Sequence, residues 1–370
     1  MEQNTDSYHT VVVSDFHLSD AEPVHEKNPL WKRFKRKEHF IDDSFHTFIS
    51  DILKETQGEK VELILNGDIF DFDSVTRIPN HPDFSVSFFE KLRGLWSEER
   101  KSRFKIREIL RDHSGFVESL KDFLAKDHRI VFVVGNHDVE LHWPGVQEEI
   151  LNSVSPLSSL RGNIRFCEWF YVSGGDTLVE HGNQYDAYCV VSNPVHPLIR
   201  MGRKLYVRIP FADIAGRYMI NGIGLMNPHV ESSFIKSSMW DYLVFFYKYG
   251  MRIQPLMGWS WLWGAIATLF ASLRHGFLPP VKDPLLVEAR INEISGRANS
   301  RSEVARGLKE IHAFPAIFNP IQIARELWLD RAVLFLLLVG GSVQFFSFLK
   351  LFVNISVFWL ILSVDRKSVV

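Results

Sequence analysis

Four short polar clusters carry residue types suited to metal and proton chemistry. They are Asp15-Phe16-His17, Gly67-Asp68-Ile69-Phe70-Asp71, Gly135-Asn136-His137-Asp138 and His181-Gly182-Asn183. Carboxylate, imidazole and amide oxygen are donors for manganese, iron, zinc or magnesium, and the lack of thiolates argues against a structural zinc site. Asp15 and His17 are two apart, so along an extended strand they share a face. The Asp68 carboxylate can bridge two ions, and Asn136 offers a neutral oxygen. Gly67 and Gly135 permit close backbone approach at the turns. Two ions ~4 Å apart would bind phosphoryl oxygens, acidify a bridging water and stabilise charge as phosphorus is attacked. His137 stands next to a ligand and is expected to face the substrate, as a proton donor or phosphoryl stabiliser. Any one cluster is common by chance. The same residues without metal would be ordinary polar loops.

The elements that must position these clusters are legible around them. Each cluster follows an apolar run: residues 11–13, 61–65, 130–134 and 177–179. Residues 10–13, 61–65 and 130–134 are predicted strands. Residues 171–172 and 177–179, separated by Ser173-Gly174-Gly175-Asp176, are a predicted hairpin. Phe40, Ile41, Phe45, Phe48, Ile49, Ile52 and Leu53 recur at helical spacing between the first two strands. Ile109, Leu110, Phe116, Leu120, Phe123 and Leu124 do so between the next two. Strands alternating with helices predict right-handed crossovers and a largely parallel start to the sheet. Sites form at the carboxyl edge of such sheets, so the clusters should converge there.

Composition bounds the function. The chain has 370 residues and a formal net charge of -2. That suits one large domain or two, and general nucleic-acid binding is not expected without an excess of basic residues. Lys32, Arg33, Lys35, Arg36 and Lys37 form a local basic run, read as a solvated loop or helix start. Two cysteines, Cys167 and Cys189, give no disulfide framework and point to a reducing compartment. The first six residues lack the basic and apolar regions of a secretory signal.

The second half is richer in aromatic and aliphatic residues. Asn193-Pro194 and His196-Pro197 break the chain. Trp259, Trp261 and Trp263 lead into an apolar stretch, readable as an interfacial helix or a buried helix of a cap. Residues 332–349 are apolar apart from Ser, Gly and one Gln, and a second apolar run begins after Lys350. This is expected to insert in a membrane as a tilted span or a tight hairpin.

The series Asp15-x-His17, Gly67-Asp68-x-x-Asp71, Gly135-Asn136-His137-Asp138 and His181 resembles the calcineurin-like metallophosphoesterases over about residues 10–186. The resemblance implies an α/β fold, a β-sandwich flanked by helices, here with a helical insertion and a C-terminal hydrophobic segment. The expected organisation is an incomplete catalytic domain over 8–190, a helical insertion or cap over 191–330, and a membrane segment or hairpin over 331–364. It implies two divalent ions, manganese first, with iron, zinc or magnesium as alternatives, and hydrolysis of phosphoester or pyrophosphate bonds by a metal-activated hydroxide. By position, Asp15 and His17 look like ligands of one metal, Asp68 like the bridge, and Asn136 and His181 like ligands of the other. His137 matches the catalytic histidine. Asp71 and Asp138 suit loop-fixing roles, while Asn183, Tyr185 and Asp186 would contact substrate or anchor the insertion.

The chain lacks the family's late Gly-His-x-His. His196, His229, His275 and His312 do not have that spacing and are expected to be structural or exposed. The expectation is a chain that stops before its last strands, because Asp365-Arg366-Lys367-Ser368-Val369-Val370 resembles sequencing-adapter read-through. The alternative is a membrane-tethered, non-catalytic protein on a degenerate esterase scaffold. The first two motifs look similar to the branch that includes UDP-2,3-diacylglucosamine pyrophosphatases, though His137 stands where those enzymes have Arg. The implied partner is a phosphorylated small molecule or lipid, and the implied location is a cytoplasmic catalytic domain at a membrane.

Overall fold

A computed structural model describes residues 8–26, 31–155, 157–224, 238, 240, 244, 247, 257–280 and 284–353. It divides into two compact units, Met1–Asn319 and Pro320–Val370.

The first unit is built on a four-stranded parallel sheet. Its strands are β1 (His9–Val13), β2 (Val61–Asn66), β3 (Arg129–Val133) and β4 (Ile164–Cys167), in the order β1-β2-β3-β4. The register aligns Val11, Leu63, Ile130 and Ile164 in one row, and Val13, Leu65, Phe132 and Phe166 in another. Side chains alternate across a strand, so both rows share a face. That face is covered by α1 (Asp42–Glu55), α3 (Glu99–Asp112), α4 (Ser114–Ala125) and α5 (Pro144–Val154), through Phe45, Ile49, Ile106, Ile109, Phe116, Phe123, Val146 and Ile150. A short α2 (Phe88–Arg93) starts with a Ser87–Glu90 capping box. The periodicity from Ile109 to Leu124 is carried by two helices that meet at His113, whose φ of -104° and ψ of 51° leave the helical region.

The opposite face presents Ile64, Val131, Val133 and Cys167, packed against Tyr171 and Val179. These belong to an antiparallel hairpin, β5 (Phe170–Ser173) and β6 (Thr177–Glu180). Among the described residues this hairpin is the second layer of the sandwich. Glu62, also on that face, is buried and accepts from Tyr171 Oη at 2.7 Å and Ser173 Oγ at 3.0 Å. Strand β4 and a second hairpin, β7 (Leu198–Met201) with β8 (Lys204–Val207), were not expected from the sequence.

The basic run corrects a sequence expectation. It forms two single 3-10 turns, Arg33–Lys35 and Lys37–His39, and Lys32, Lys35 and Arg36 are buried rather than solvated. Lys35 pairs with the buried Asp20 and donates to Ser74 O at 2.6 Å, so it braces the loop after β2.

Beyond β8, α6 (Phe211–Ala215) continues through a π-helical turn (Gly216–Ile220) into Asn221–Ile223. Helix α7 (Met257–Phe277) buries Ala265, Thr268, Ala271, Ser272 and His275, and exposes Trp259, Trp263, Phe270 and Phe277. It therefore has features of both sequence readings, a packed small-residue face and an outward aromatic stripe. Helices α8 (Pro284–Arg297) and α9 (Ser302–Glu310) pack Ile291, Ile294 and Ala305 around Trp169 and Phe170.

The second unit contains α10 (Pro320–Glu326) and α11 (Leu329–Val353). Leu329–Leu349, 21 residues with a mean hydropathy of 2.1 and none of it buried, is long and apolar enough to cross a membrane. The helix runs unbroken past Lys350 to Val353. Residues 354–364 of the expected membrane segment, the terminal Asp365–Val370, His229 and the first six residues lie outside the described residues.

Candidate metal centre

The loops leaving β1, β2, β3 and β6 meet at Asp68. Backbone pairing continues past the strand ends: Asp15 N donates to Gly67 O at 3.1 Å, His17 N to Asp68 O at 2.8 Å and Leu18 N to Ile69 O at 2.9 Å. Holding that path needs unusual backbone. Asp15, His17 and Asp68 have φ of 61°, 49° and 52°, left-handed values that non-glycine residues adopt at a cost. Gly67, at φ 76°, is required twice over, since a Cβ there would sit 2.4 Å from His181 Cγ. A Cβ on Gly135 would sit 2.4 Å from Asp68 Oδ1.

Two sets of donor atoms share Asp68. Ligand atoms of His17, Asp68 and His137 lie within 4.8 Å of one another, and so do those of Asp15, Asp68 and His181. His181 Nε2 is 3.2 Å from Asp68 Oδ2, His17 Nε2 is 4.0 Å from the same oxygen, and His17 Nε2 is 3.8 Å from Asp15 Oδ1. The His17 and His137 rings meet edge to face at 4.8 Å. His181 Nδ1 lies 3.0 Å from Asn66 O, a bond in which it can only donate, so in the neutral ring the lone pair is on Nε2, the nitrogen that faces Asp68. His137 N donates to Asp68 Oδ1 at 2.8 Å, which turns Oδ2 towards the histidines. Asn136 is buried between Gly135, which abuts Asp68, and His137. The donor set and the close backbone cradle fit divalent cations.

The remaining sequence candidates are placed around this group. Asp138 is fully buried and accepts from Ile69 N at 2.9 Å and Gly135 N at 2.7 Å, tying the second and third loops together. Asp71 accepts from Ser74 N at 2.9 Å, and its Oδ1 is 3.5 Å from His137 Nδ1. Asp186 belongs to neither donor set, and Asn183 and Asp186 are both engaged in local bonds. Asn183 Nδ2 donates to Cys189 O and Asp186 Oδ1 accepts from Tyr188 N, while Gln184 O and Ala187 O accept from Ala313 N and Ala316 N. This stretch anchors the later chain. One residue near His137 was not anticipated: Asp213 of α6, whose Oδ1 is 3.1 Å from His137 Nδ1. No spacing or periodicity marks a lone Asp in Phe211-Ala212-Asp213-Ile214.

The electrostatics of the cluster come from burial among these charges. Burial alone would raise the Asp68 carboxyl, but the His181 hydrogen bond and the charges of His137, His181 and His17 outweigh it and hold it at about 2. Burial would lower His181, and the bond to Asp68 with its charge instead pushes it up to about 9. Burial and the neighbouring Asp68 push Asp138 up to about 7. Burial would lower His137 as well, yet Asp213 and Asp71 hold it well above its ordinary value. Beside Asp15 and His17 opens a pocket also lined by Phe34, Lys35, His39 and Phe40.

A family model for calcineurin-like phosphoesterases matches residues 8–205. No curated protein and no solved structure matches the chain. The matched span holds the parallel sheet and every loop that converges on Asp68, and on that basis the chain belongs to the calcineurin-like phosphoesterase family.

Proposed function

We propose that this protein hydrolyses a phosphoester or diphosphate bond, with Asp68 shared between two divalent ions and His137 handling the leaving group. One observation carries the reading: a single carboxylate, Asp68, belongs to both donor sets, with His17 in one and Asp15 and His181 in the other, while His137, the third member of the first, is assigned to the proton and not to an ion. Asp15, His17, Asn136 and His181 are the further residues that would hold the ions. Bound cations supply charge neutralisation at the phosphoryl group and an acidified attacking water. His137, whose ring meets that of His17 edge to face, donates its proton to the departing oxygen as the P–O bond breaks. The adjoining pocket, with Phe16, Phe34 and Phe40 in its walls, would receive part of the substrate. Helix α11 supports a membrane-associated protein, and with it a lipid-linked phosphate as substrate, such as one related to UDP-2,3-diacylglucosamine.

The test is turnover of bis(4-nitrophenyl) phosphate by the full chain in detergent with manganese. Asp68→Ala should abolish it. Absence of manganese-dependent turnover together with absence of bound metal would refute the reading. A non-catalytic scaffold is the second reading, motivated by His196, His275 and His312, which join neither donor set. It predicts at most one weakly held ion by metal analysis.

A further inference from the structure

The carboxylate beside His137 that the four motifs do not supply comes from α6, beyond the family-matched span. Asp213 Oδ1 is 3.1 Å from His137 Nδ1, closer than Asp71 Oδ1 at 3.5 Å. Asp213 has no exposed surface, and among the described residues neither of its oxygens accepts a hydrogen bond of good geometry. A buried carboxyl without donors is costly and calls for a functional partner. Here the facing group is an imidazole nitrogen.

The element that carries Asp213 is clamped to the loop that carries Asp71. Arg217, buried in the adjoining π-helical turn, donates to Asp73 Oδ1 at 3.0 Å, to Leu95 O at 2.8 Å and to Gly94 O, and stacks on Trp96. Asn221 Nδ2 donates to Asp73 O at 2.7 Å, and Ala212 N to Tyr188 O at 3.0 Å. The two segments thus form one rigid bracket around the His137 ring. π-turns of this kind recur at functional sites.

We propose that Asp213 is a positioning residue: with Asp71 it grips His137 Nδ1 from two sides, fixing the ring so that Nε2 faces the metal cluster and the leaving oxygen. The region after residue 205 is then part of the active machinery and not only a cap. This rests on the reading of His137 as proton donor. It differs from metal ligation, because Asp213 belongs to neither donor set. The logic is that of a carboxylate orienting an imidazole, where loss of the orienting group costs roughly 10–100-fold in activity.

The experiment uses the full chain in detergent and compares wild type with Asp213→Asn, His137→Ala and the double variant. Substrates are bis(4-nitrophenyl) phosphate and an alkyl phosphodiester, whose oxygen needs the proton more. Asp213→Asn should lower kcat by about 10–100-fold on the alkyl substrate and less on the nitrophenyl one, with KM within about twofold. In the His137→Ala background it should have no further effect. Independently of activity, nitrogen NMR of histidine-labelled, metal-free protein should show the His137 Nδ1 resonance displaced by Asp213→Asn. An unmoved resonance, an unchanged kcat on both substrates, or an equal loss in the His137→Ala background would overturn the proposal. If the wild type turns over neither substrate, the hydrolase reading fails and the NMR shift alone decides this one. If Asp213→Asn does not fold, Asp213→Glu, which moves the oxygens by one methylene, is read by the same criteria.

Discussion

Replacing Gly135 by Ala adds one methyl group, and the structure says where it would go. The residue does not occupy the left-handed region, so backbone conformation is no obstacle. The obstacle is space. The new Cβ would lie 2.4 Å from Asp68 Oδ1, 2.7 Å from Asp68 N and 3.0 Å from His181 Cδ2. Ordinary contact begins near 3.4 Å, so Asp68 must retreat by about 1 Å. It cannot swing away alone, because its backbone nitrogen is also struck and its Oδ1 accepts from His137 N at 2.8 Å. Overpacking of this kind costs about 1–3 kcal/mol of stability, and a 1 Å misplacement of a shared ligand costs about 100-fold in function. Manganese titration by calorimetry, with thermal unfolding alongside, should show at least a tenfold loss of affinity for Gly135→Ala. Gly162→Ala is the control, since a Cβ there meets nothing within 4 Å. Manganese affinity for Gly135→Ala within threefold of wild type would refute the claim that this glycine sets the position of Asp68.

Asp138→Ala should destabilise the protein by about 2–4 kcal/mol in urea titration, since the buried amides of Ile69 and Gly135 both lose their acceptor; Asp138→Asn should fall between. His275 is stacked on Trp96 and held at about 3, by burial first and then by Arg208, Arg217 and Arg274. Its unfolded form gains a proton below about 6.5, so stability is complete above that pH and falls as pH drops towards 3. Between pH 7 and pH 5 the wild type should lose about 2 kcal/mol more than His275→Gln. Helix α11 should keep the protein in the membrane pellet through an alkaline carbonate wash, and Leu338→Arg, at roughly 2.5–3.5 kcal/mol for the charge at mid-membrane, should shift it towards the supernatant.

The parallel strands and the loops after them were readable because β-branched and aliphatic runs such as residues 61–65 end abruptly in Gly-Asp or Gly-Asn. Strand β4 was not, since Ile164-Arg165-Phe166-Cys167 is short and its arginine lies on the hairpin face. The β7–β8 hairpin was missed because its strands have only four residues each and Arg200 and Lys204 interrupt the apolar pattern beside the turn. Charge misled at Lys32 and Lys35, because a run of cations does not reveal the Glu22 and Asp20 that bury them. Asp213 was beyond reach for a similar reason: its meaning lies wholly in a tertiary contact with His137.

The left-handed turns at Asp15, His17 and Asp68 set a limit on engineering this protein. Glycine at each would relax the chain by roughly 1 kcal/mol apiece, and would delete a donor to the cations. Heat tolerance and chemistry therefore compete for the same three side chains, and any hardier version must find its gains elsewhere in the molecule.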